Sequence, residues 1–265
     1  MKLSLENRKV AVTGAGDGIG RALALAFADA GARVAGCARS ADRLESLSNE
    51  TQGEGHLFIP ADVKRKEDIE RFSGQVAEEF GGLDVLVNNV GAIGKLATFD
   101  ALDDADWQEA FEVNLLSTVR FSRAFIPVLK KSTAPVIINI SSIAASRPGE
   151  VFPHYCAMKA GMSALSSSLA TTLAGDGIRV NTVSPGPVWS RSWDMEARQA
   201  AQAAGKTEAA MADEIRSGTA ATVPLKRMGL PEDVTGIVLF LASGHASWIT
   251  GANFVVDGGV LRQPY

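Results

Sequence analysis

A tyrosine and a lysine stand four residues apart in a segment with a helical pattern, Tyr155-Cys156-Ala157-Met158-Lys159. Residues at this spacing share one face of a helix, so the ammonium of Lys159 can lie close to the phenol of Tyr155. A neighbouring cation favours the ionised form of a phenol, whose pKa is ordinarily about 10. The pair therefore predicts a tyrosine that donates or accepts a proton, whereas the same spacing in isolation more often belongs to a structural tyrosine beside a surface lysine.

Two further polar residues stand where they could support such a proton transfer. Ser142, thirteen residues before Tyr155, follows an apolar run, and a hydroxyl at a strand end can hydrogen-bond a substrate oxygen as charge develops. Its neighbour Ser141 better fits the ordinary role of satisfying local backbone groups. Asn114 interrupts an apolar helical pattern, where a poor helix former needs buried partners, and its alternative is a purely structural hydrogen bond.

A glycine-rich stretch follows the first strand-like run and reads Thr13-Gly14-Ala15-Gly16-Asp17-Gly18-Ile19-Gly20. Glycines let a backbone turn tightly and approach a pyrophosphate, whose charge is met by the free amides at a helix start. Because a helical pattern begins inside the stretch, we expect a dinucleotide-binding turn rather than a plain loop. The spacing is T-G-x-x-x-G-x-G, with Ile19 where the third glycine of G-x-G-x-x-G would stand.

The elements that must position these residues are short strands alternating with longer amphipathic segments. The strand-like runs, most of them continuously apolar as in parallel strands covered on both faces, span residues 9–13, 33–38, 56–60, 83–88, 135–141, 179–184 and 253–256. Helical patterns span residues 18–30, 41–51, 66–80, 104–130, 154–174 and 231–241. This order predicts one α/β domain over residues 1–265, a Rossmann-like, doubly wound parallel sheet of about seven strands with helices on both faces.

Composition narrows the class of partner. The 265 residues are 46% hydrophobic and 21% charged, and 26 basic against 30 acidic residues give a net charge of −4 without charged blocks. This balance favours a small-molecule ligand over nucleic acid or a membrane surface. The start of the chain lacks the apolar core of a signal peptide, so we expect a cytoplasmic protein. Cys37 and Cys156 are interpreted as packing residues, and no spacing predicts a metal site.

In order along residues 9–259, these motifs resemble the short-chain dehydrogenases/reductases. The resemblance rests on Thr13–Gly20, Asp62-Val63, Asn88-Asn89-Val90-Gly91, Asn114, Ser141-Ser142, residues 155–159 and Pro185-Gly186. Val90 departs from the alanine usual in the family. The resemblance implies an NAD(P)-linked oxidoreductase in which Ser142 orients the substrate oxygen and Tyr155 exchanges the proton. It also implies that Lys159 holds the ribose hydroxyls while tuning the tyrosine, and that Asn114 supports Lys159 through a water.

The resemblance also implies a set of cofactor contacts, which we expect at Gly14, Asp17, Gly18, Ile19, Gly20, Asp62, Val63, Asn89, Val90, Gly91, Tyr155, Lys159, Pro185, Gly186, Val188 and Ser190. NAD-selective sites usually place an acid after the second strand to bind the ribose 2′-hydroxyl. This chain has Arg39 and Ser40 there, which could bind a 2′-phosphate, so NADP(H) is expected and NAD(H) stays possible. Asp17 counts against NADP(H), because relatives often carry a basic residue there, and Arg39 could also be a solvated loop charge.

Substrate identity should depend on a lid at about residues 188–224 together with residues around Gly94 and Phe152. Trp189 and Trp193 in the lid favour an apolar or cyclic substrate, although a role in subunit packing is equally open. The resemblance implies a homotetramer or homodimer, paired through helices at residues 104–130 and 154–174. The tail at residues 258–265 is also expected to reach a neighbouring subunit.

These observations predict an enzyme that transfers a hydride between nicotinamide and a carbonyl or secondary alcohol, a short-chain alcohol dehydrogenase or ketoreductase. The alternative is a reductase of 3-oxoacyl groups carried on acyl-carrier protein, for which basic docking residues are few near the active edge. A nucleotide-sensing protein without catalysis is a minor alternative, because Asn114, Ser142, Tyr155 and Lys159 occur together. The sequence does not determine the direction of the reaction.

Overall fold

The computed structural model describes residues 3–262, apart from the side chain of Ala203. Seven parallel strands form one sheet in the order β3-β2-β1-β4-β5-β6-β7. The strands are β1 Lys9–Thr13, β2 Arg33–Ala38, β3 Leu57–Pro60, β4 Val85–Asn88, β5 Val136–Ile140, β6 Arg179–Pro185 and β7 Asn253–Val256. The strand order reverses between β1 and β4, which makes the crevice outside their carboxyl ends the expected ligand site of such a sheet. The predicted fold class is confirmed.

The helices cover both faces of the sheet. They are α1 Gly18–Asp29, α2 Ala41–Glu50, α3 Lys66–Phe80, α4 Asp104–Phe111, α5 Ser117–Leu129, α6 Pro153–Leu173, α7 Arg191–Ala204, α8 Glu208–Thr222 and α9 Glu232–Ala242. Alternate residues of a strand face opposite layers, so Val10 packs in the same core as Phe27 of α1, whereas Ala11 packs in the core of Phe72 and Phe125. Most strand residues are therefore buried, in agreement with their apolar sequences.

One sequence-based expectation about the helices is corrected. The segment predicted as one helix over residues 104–130 is α4 and α5 joined by a stretch of π-helix, Glu112–Leu116. The region between residues 188 and 224 forms two helices, α7 and α8, separated by Gly205 in the left-handed conformation. The expected subunit contact of the tail falls partly on residues 263–265, which lie outside the described residues.

Two features are absent from the described part of the chain. Within it, no helix has the length and apolar character needed to cross a bilayer. No group of three or more His, Cys, Asp or Glu side chains between residues 3 and 262 could hold a metal ion.

Candidate active site

The carboxyl ends of β4 and β5, the start of α6 and the π-helical stretch bring the four predicted catalytic residues to one edge of the sheet. The side-chain amide of Asn114 binds both backbone groups of Ala92: Oδ1 accepts its N–H at 2.9 Å and Nδ2 donates to its carbonyl at 3.0 Å. Nδ2 also donates to the carbonyl of Ala110 at 3.0 Å. Asn114 is fully buried, and its insertion into the helix as a π-bulge orients it towards the loop after β4.

Lys159 and Asn114 flank the same glycine. A Cβ added to Gly91 would lie 2.9 Å from Lys159 Nζ and 3.4 Å from Asn114 Oδ1, so a larger residue would displace one of these groups. Lys159 is 2% exposed, and its Nζ donates to the carbonyl oxygen of Ile140 at 2.9 Å. Burial lowers the pKa of Lys159 to about 7. The amine of Lys159 is therefore buried beside the backbone of Gly91. Near pH 7 its charged and neutral forms are about equally populated.

The phenol of Tyr155 does not have the lowered pKa that its lysine neighbour predicted. Burial raises the pKa of Tyr155 to about 12, and the hydrogen bond with Ser142 only partly opposes this rise. Lys159 Nζ lies 5.8 Å from the centroid of the tyrosine ring. Burial dominates because removing a charged oxygen from water costs more than one hydrogen bond returns. At neutral pH, Tyr155 therefore carries its proton.

The two serines after β5 have different surroundings. Ser141 is buried, and its hydroxyl donates to the carbonyl of Lys159 at 3.1 Å, which ties β5 to α6. Ser142 precedes a short 3₁₀ turn, and its Oγ accepts the N–H of Ala144 at 3.1 Å. This backbone donor holds the Ser142 hydroxyl in place after β5.

The glycine-rich turn packs against its neighbours so tightly that side chains are excluded. A Cβ at Gly20 would lie 2.1 Å from the carbonyl oxygen of Gly14 and 2.4 Å from Nδ2 of Asn89, and a Cβ at Gly16 would lie 2.9 Å from that of Ala38. Gly14 and Gly18 have φ of +70° and +51°, which favour glycine. Ile19 is partly buried against the core under this turn. The first turn of α1 is therefore open for an anion to approach its amides.

Asp17 has two partners that the sequence did not reveal. Its Oδ1 accepts the N–H of Gly18 at 2.7 Å and caps α1, and its Oδ2 pairs with the guanidinium of Arg43 at 3.0 Å. Arg43 follows Ser40, whose hydroxyl caps α2 by accepting the Arg43 N–H at 3.4 Å. Arg39 is exposed immediately before this cap. The structure thus gathers two arginines beside the glycine-rich turn, and sequence reasoning missed Arg43 because it stands inside a helix.

The remaining predicted cofactor residues line the same edge. Val63 is buried, and the carboxylate of Asp62 accepts the N–H of Lys64 at 3.0 Å. Asn89 donates to the carbonyl of Thr13 at 2.9 Å and so fastens β4 to β1, while Val90 packs on the core below.

The loop after β6 returns to the glycine-rich turn. Gly186 packs so closely on Asp257 that an added Cβ would lie 2.6 Å from the Cβ of that residue. Val188 is buried and bridges to Gly229, and Ser190 precedes α7 with its Cβ 3.4 Å from the position that a Cβ of Gly18 would take. Pro185 ends β6. The predicted contacts after β6 and after β1 therefore adjoin each other.

The predicted substrate residues divide into two groups. Phe152 lies edge-to-face with Tyr155, with ring centroids 6.2 Å apart, and Gly94, at φ +75°, lies near His154. Trp189 and Trp193 stack on each other with ring centroids 6.0 Å apart, and Trp189 lines a cleft of about 920 Å³ between α1 and α7–α9. That cleft includes Asp17, Gly18 and Ser190 in its lining but neither Ser142 nor Tyr155.

His154, which the sequence left between a pocket-lining and a helix-start role, is buried in the first turn of α6. Its ring lies edge-to-face with Trp107 at 6.1 Å, and burial lowers its pKa, with a smaller opposing effect of Asp106. Nδ1 has no hydrogen-bond partner among the described residues. The packing on Trp107 favours the structural role.

A dinucleotide fits this edge on the geometry of the chain alone. The close contacts at Gly20 and Gly16 leave backbone where side chains would block a pyrophosphate, and the α1 amides face it. Arg39, Ser40 and Arg43 are available at the far end of the turn, and Lys159 and Tyr155 stand at the opposite end. The donors and the space therefore match a nicotinamide dinucleotide.

Comparison with known proteins gives a consistent family. Residues 14–261 match the family model described as enoyl-(acyl carrier protein) reductase. An uncharacterized short-chain type dehydrogenase/reductase, y4mP of Sinorhizobium fredii, is 34% identical to this chain. The alignment covers 97% of this chain and 98% of the y4mP protein. The 3-oxoacyl-[acyl-carrier-protein] reductase FabG of Vibrio cholerae is 34% identical, over 97% of this chain and 99% of that protein.

The solved structures agree. L-sorbose reductase of Gluconobacter frateurii, in complex with NADPH and L-sorbose, superposes with a TM-score of 0.91 at 31% identity over 99% of this chain and 100% of that one. The chain belongs to the short-chain dehydrogenases/reductases and is an oxidoreductase of that family. The sequence-based expectation of family and reaction class is thereby confirmed.

Proposed function

We propose that the protein is an NADP(H)-dependent reductase of a small ketone, working through Ser142, Tyr155, Lys159 and Asn114. The observation that carries the proposal is the buried amine of Lys159, which lies 5.8 Å from the centre of the Tyr155 ring and beside Gly91 and Asn114. When bound, the cofactor supplies or accepts the hydride at its nicotinamide ring. Ser142 hydrogen-bonds the substrate oxygen, and Tyr155 donates the proton that this oxygen needs when it becomes a hydroxyl.

The raised pKa of Tyr155 suits the proton-donor role that ketone reduction requires. A phenol with a pKa of about 12 holds its proton at neutral pH and is ready to act as an acid. Oxidation of an alcohol needs the phenolate, which is scarce under the same conditions. Lys159 binds ribose hydroxyls from its position beside residue 91, and Asn114 positions the loop that holds this backbone in place.

The preference for NADP(H) is supported by Arg39, Ser40 and Arg43. Planar guanidinium groups bind phosphate through paired charge-assisted hydrogen bonds, and no acid stands at residues 38–40 to bind a free 2′-hydroxyl. Asp17 counts less strongly against NADP(H), because its carboxylate caps α1 and pairs with Arg43. The NADPH complex of the sorbose reductase supports the same cofactor.

The substrate expected from the lid is apolar or cyclic, and L-sorbose in the related complex is a cyclisable ketose. We keep the lid assignment for residues 188–224 as part of the proposal, with α7 and α8 as its two helices. The second candidate is reduction of 3-oxoacyl groups on acyl-carrier protein, which the likeness to the Vibrio cholerae enzyme favours. Acyl-carrier thioesters and free ketones compared at equal concentration separate the two candidates.

The expected assembly is a cytoplasmic homotetramer, with a homodimer as the smaller possibility. Ala157, Ala160 and Ala164 present small side chains on the exposed face of α6, where a second copy of the helix could approach closely. Light scattering on the purified protein measures the mass directly, and a monomeric mass would contradict this part of the proposal.

The central experiment combines cofactor titration with one substitution. Fluorescence titration should show tighter binding of NADPH than of NADH, and a ketone panel with NADPH should then identify a substrate. Tyr155→Phe should lower kcat/KM by about two to four orders of magnitude while the affinity for NADPH stays close to that of the wild type. Undiminished turnover in Tyr155→Phe would remove the proposed mechanism.

A further inference from the structure

A second cavity adjoins the turn that follows Ser142. It has a volume of about 480 Å³ and is lined by Ser146 and Arg147, by Thr222 and Pro224 after α8, and by residues 260–262. The N–H of Arg147 donates to the carbonyl of Ile143 at 2.8 Å, so Arg147 follows directly on the 3₁₀ turn that Ser142 begins. The cavity is therefore linked to the serine by a single short turn of backbone.

The C-terminal segment is fastened to the third wall of this cavity. The carboxylate of Asp257 accepts the N–H of Gly259 at 2.8 Å and that of Leu261 at 2.6 Å. The N–H of Leu225 donates to the carbonyl of Gly258 at 3.2 Å, which joins the segment to the chain after α8. These bonds bring Arg262 to the cavity, and they occupy both oxygens of Asp257 with backbone donors.

Charge at this cavity is unbalanced. Arg147 and Arg262 both line it, and its lining within residues 3–262 contains no acidic side chain. Neither arginine belongs to the ion pairs found in the described part of the chain. Arg147 and Arg262 are both exposed at the cavity, and each guanidinium offers a planar pair of N–H donors to an oxyanion. Pro224, Val260 and Leu261 add an aliphatic wall.

We infer that this cavity is an anion-binding subsite and that the substrate carries a carboxylate or phosphate group as well as the reacting carbonyl. Arg147 and Arg262 bind the anionic group, the aliphatic wall contacts the carbons between the two groups, and the carbonyl lies at Ser142 and Tyr155. The inference rests on the proposed reductase function and adds the substrate class. It adds an anionic group to the apolar or cyclic substrate that the tryptophans of the lid suggested.

The test compares charged and neutral ketones of the same shape. Oxocarboxylates with the carbonyl and the carboxylate separated by one to four methylenes are reduced with NADPH beside the matching oxocarboxamides and the matching oxoalkyl phosphates. We expect kcat/KM for at least one chain length to be about tenfold or more higher for the carboxylate or phosphate than for the amide, mainly through KM. The anion that gives the larger ratio identifies the source of the charge.

Two variants locate the effect. Arg147→Gln and Arg262→Gln should each reduce the anion-to-amide ratio of kcat/KM severalfold, and the double variant should bring it close to one. Lys131→Gln removes one charge at the opposite edge of the sheet and should leave the ratio unchanged. Equal kcat/KM for anions and amides at every length overturns the inference, as does a preference that survives in the double variant. If the wild type reduces no ketone of either kind, the proposed function itself has failed.

Discussion

Lys159 donates its hydrogen bond to the carbonyl oxygen of Ile140 at 2.9 Å, and the same nitrogen lies 5.8 Å from the centre of the Tyr155 ring. Ile140, the last residue of β5, therefore binds the Lys159 amine that the sequence predicted to lie beside the Tyr155 phenol. Burial lowers the pKa of Lys159 to about 7 and raises that of Tyr155 to about 12. Burial thus shifts both groups towards their neutral forms, and the consequences can be measured separately.

The titration of Tyr155 can be followed directly, because Tyr265 is the other tyrosine of the chain. In Tyr265→Phe, the ultraviolet absorbance of tyrosinate should rise with a midpoint of about 12. The same protein in denaturant should titrate near the ordinary value of about 10. Adding Ser142→Ala should move the folded midpoint higher still, because the hydrogen bond that favours the phenolate is lost. A folded midpoint at or below that of the denatured chain would contradict the buried phenol.

Reaction rates should depend on pH in opposite ways for the two directions. Alcohol oxidation needs deprotonated Tyr155, whose pKa is raised, so its kcat/KM should increase roughly tenfold per unit between about pH 7 and about pH 9. Ketone reduction uses the protonated phenol and should not increase over the same range. Initial rates with one alcohol and ketone pair, corrected for enzyme stability, provide the measurement. An oxidation rate independent of pH would require another base.

Lys159 should make the folded protein more stable as the pH rises. Its pKa is lowered on folding, so between about pH 7 and about pH 10 the unfolded chain binds more protons than the folded one, and the free energy of unfolding increases with pH. Lys159→Met removes the titrating group and keeps the length of the side chain. From about pH 7 to about pH 9 the wild type should gain on the order of 2 kcal/mol more than the variant in urea unfolding. Parallel changes in the two proteins would argue against a buried neutral amine.

The glycine at the start of α1 should tolerate no side chain. In Gly20→Ala the new methyl group would meet the carbonyl oxygen of Gly14 and the amide of Asn89, so the turn must open and NADPH binding should fall by at least tenfold. Gly74→Ala is the matched control, because no atom lies within 4 Å of its added Cβ in α3. That variant should gain about 0.5–1 kcal/mol in unfolding free energy and bind NADPH normally. Normal binding by Gly20→Ala would show that the turn does not contact the cofactor.

Apolar runs and glycines predicted most of the fold, because those signals are local. β1, β2 and β7 have the predicted bounds, whereas His56 was assigned to a strand and instead uses its ring Nδ1 to accept the N–H of Val34 at 3.1 Å. The π-helical stretch at Asn114 could not be predicted, since it depends on the distant backbone of Ala92. Hydrophobic periodicity does not register such a distant contact, so it predicted one continuous helix over residues 104–130.

In the candidate site, too, local sequence signals could be predicted, whereas contacts between distant elements could not. Residue types and spacing indicated Ser142, Tyr155 and the glycine-rich turn, and the structure brings them to one edge of the sheet. Spacing along a helix could not show that the Lys159 amine turns to Ile140, because that partner comes from another strand. The pairing of Asp17 with Arg43 links two βα units and was equally hidden, and it changes the interpretation of cofactor choice.

Cofactor preference should respond to these charges in a defined order. Arg39→Ala and Arg43→Ala should each weaken NADPH binding about tenfold or more and leave NADH binding within about threefold, because only NADPH carries the 2′-phosphate. Asp17→Asn keeps an oxygen that can cap α1 but removes the charge that neutralises Arg43, so it should tighten NADPH binding relative to NADH. Lys131→Ala, at the opposite edge of the sheet, serves as the control. Fluorescence titration gives all the dissociation constants. If the arginine variants lost affinity for NADPH and NADH equally, these residues would act through the electrostatic potential of the whole site rather than by binding the 2′-phosphate.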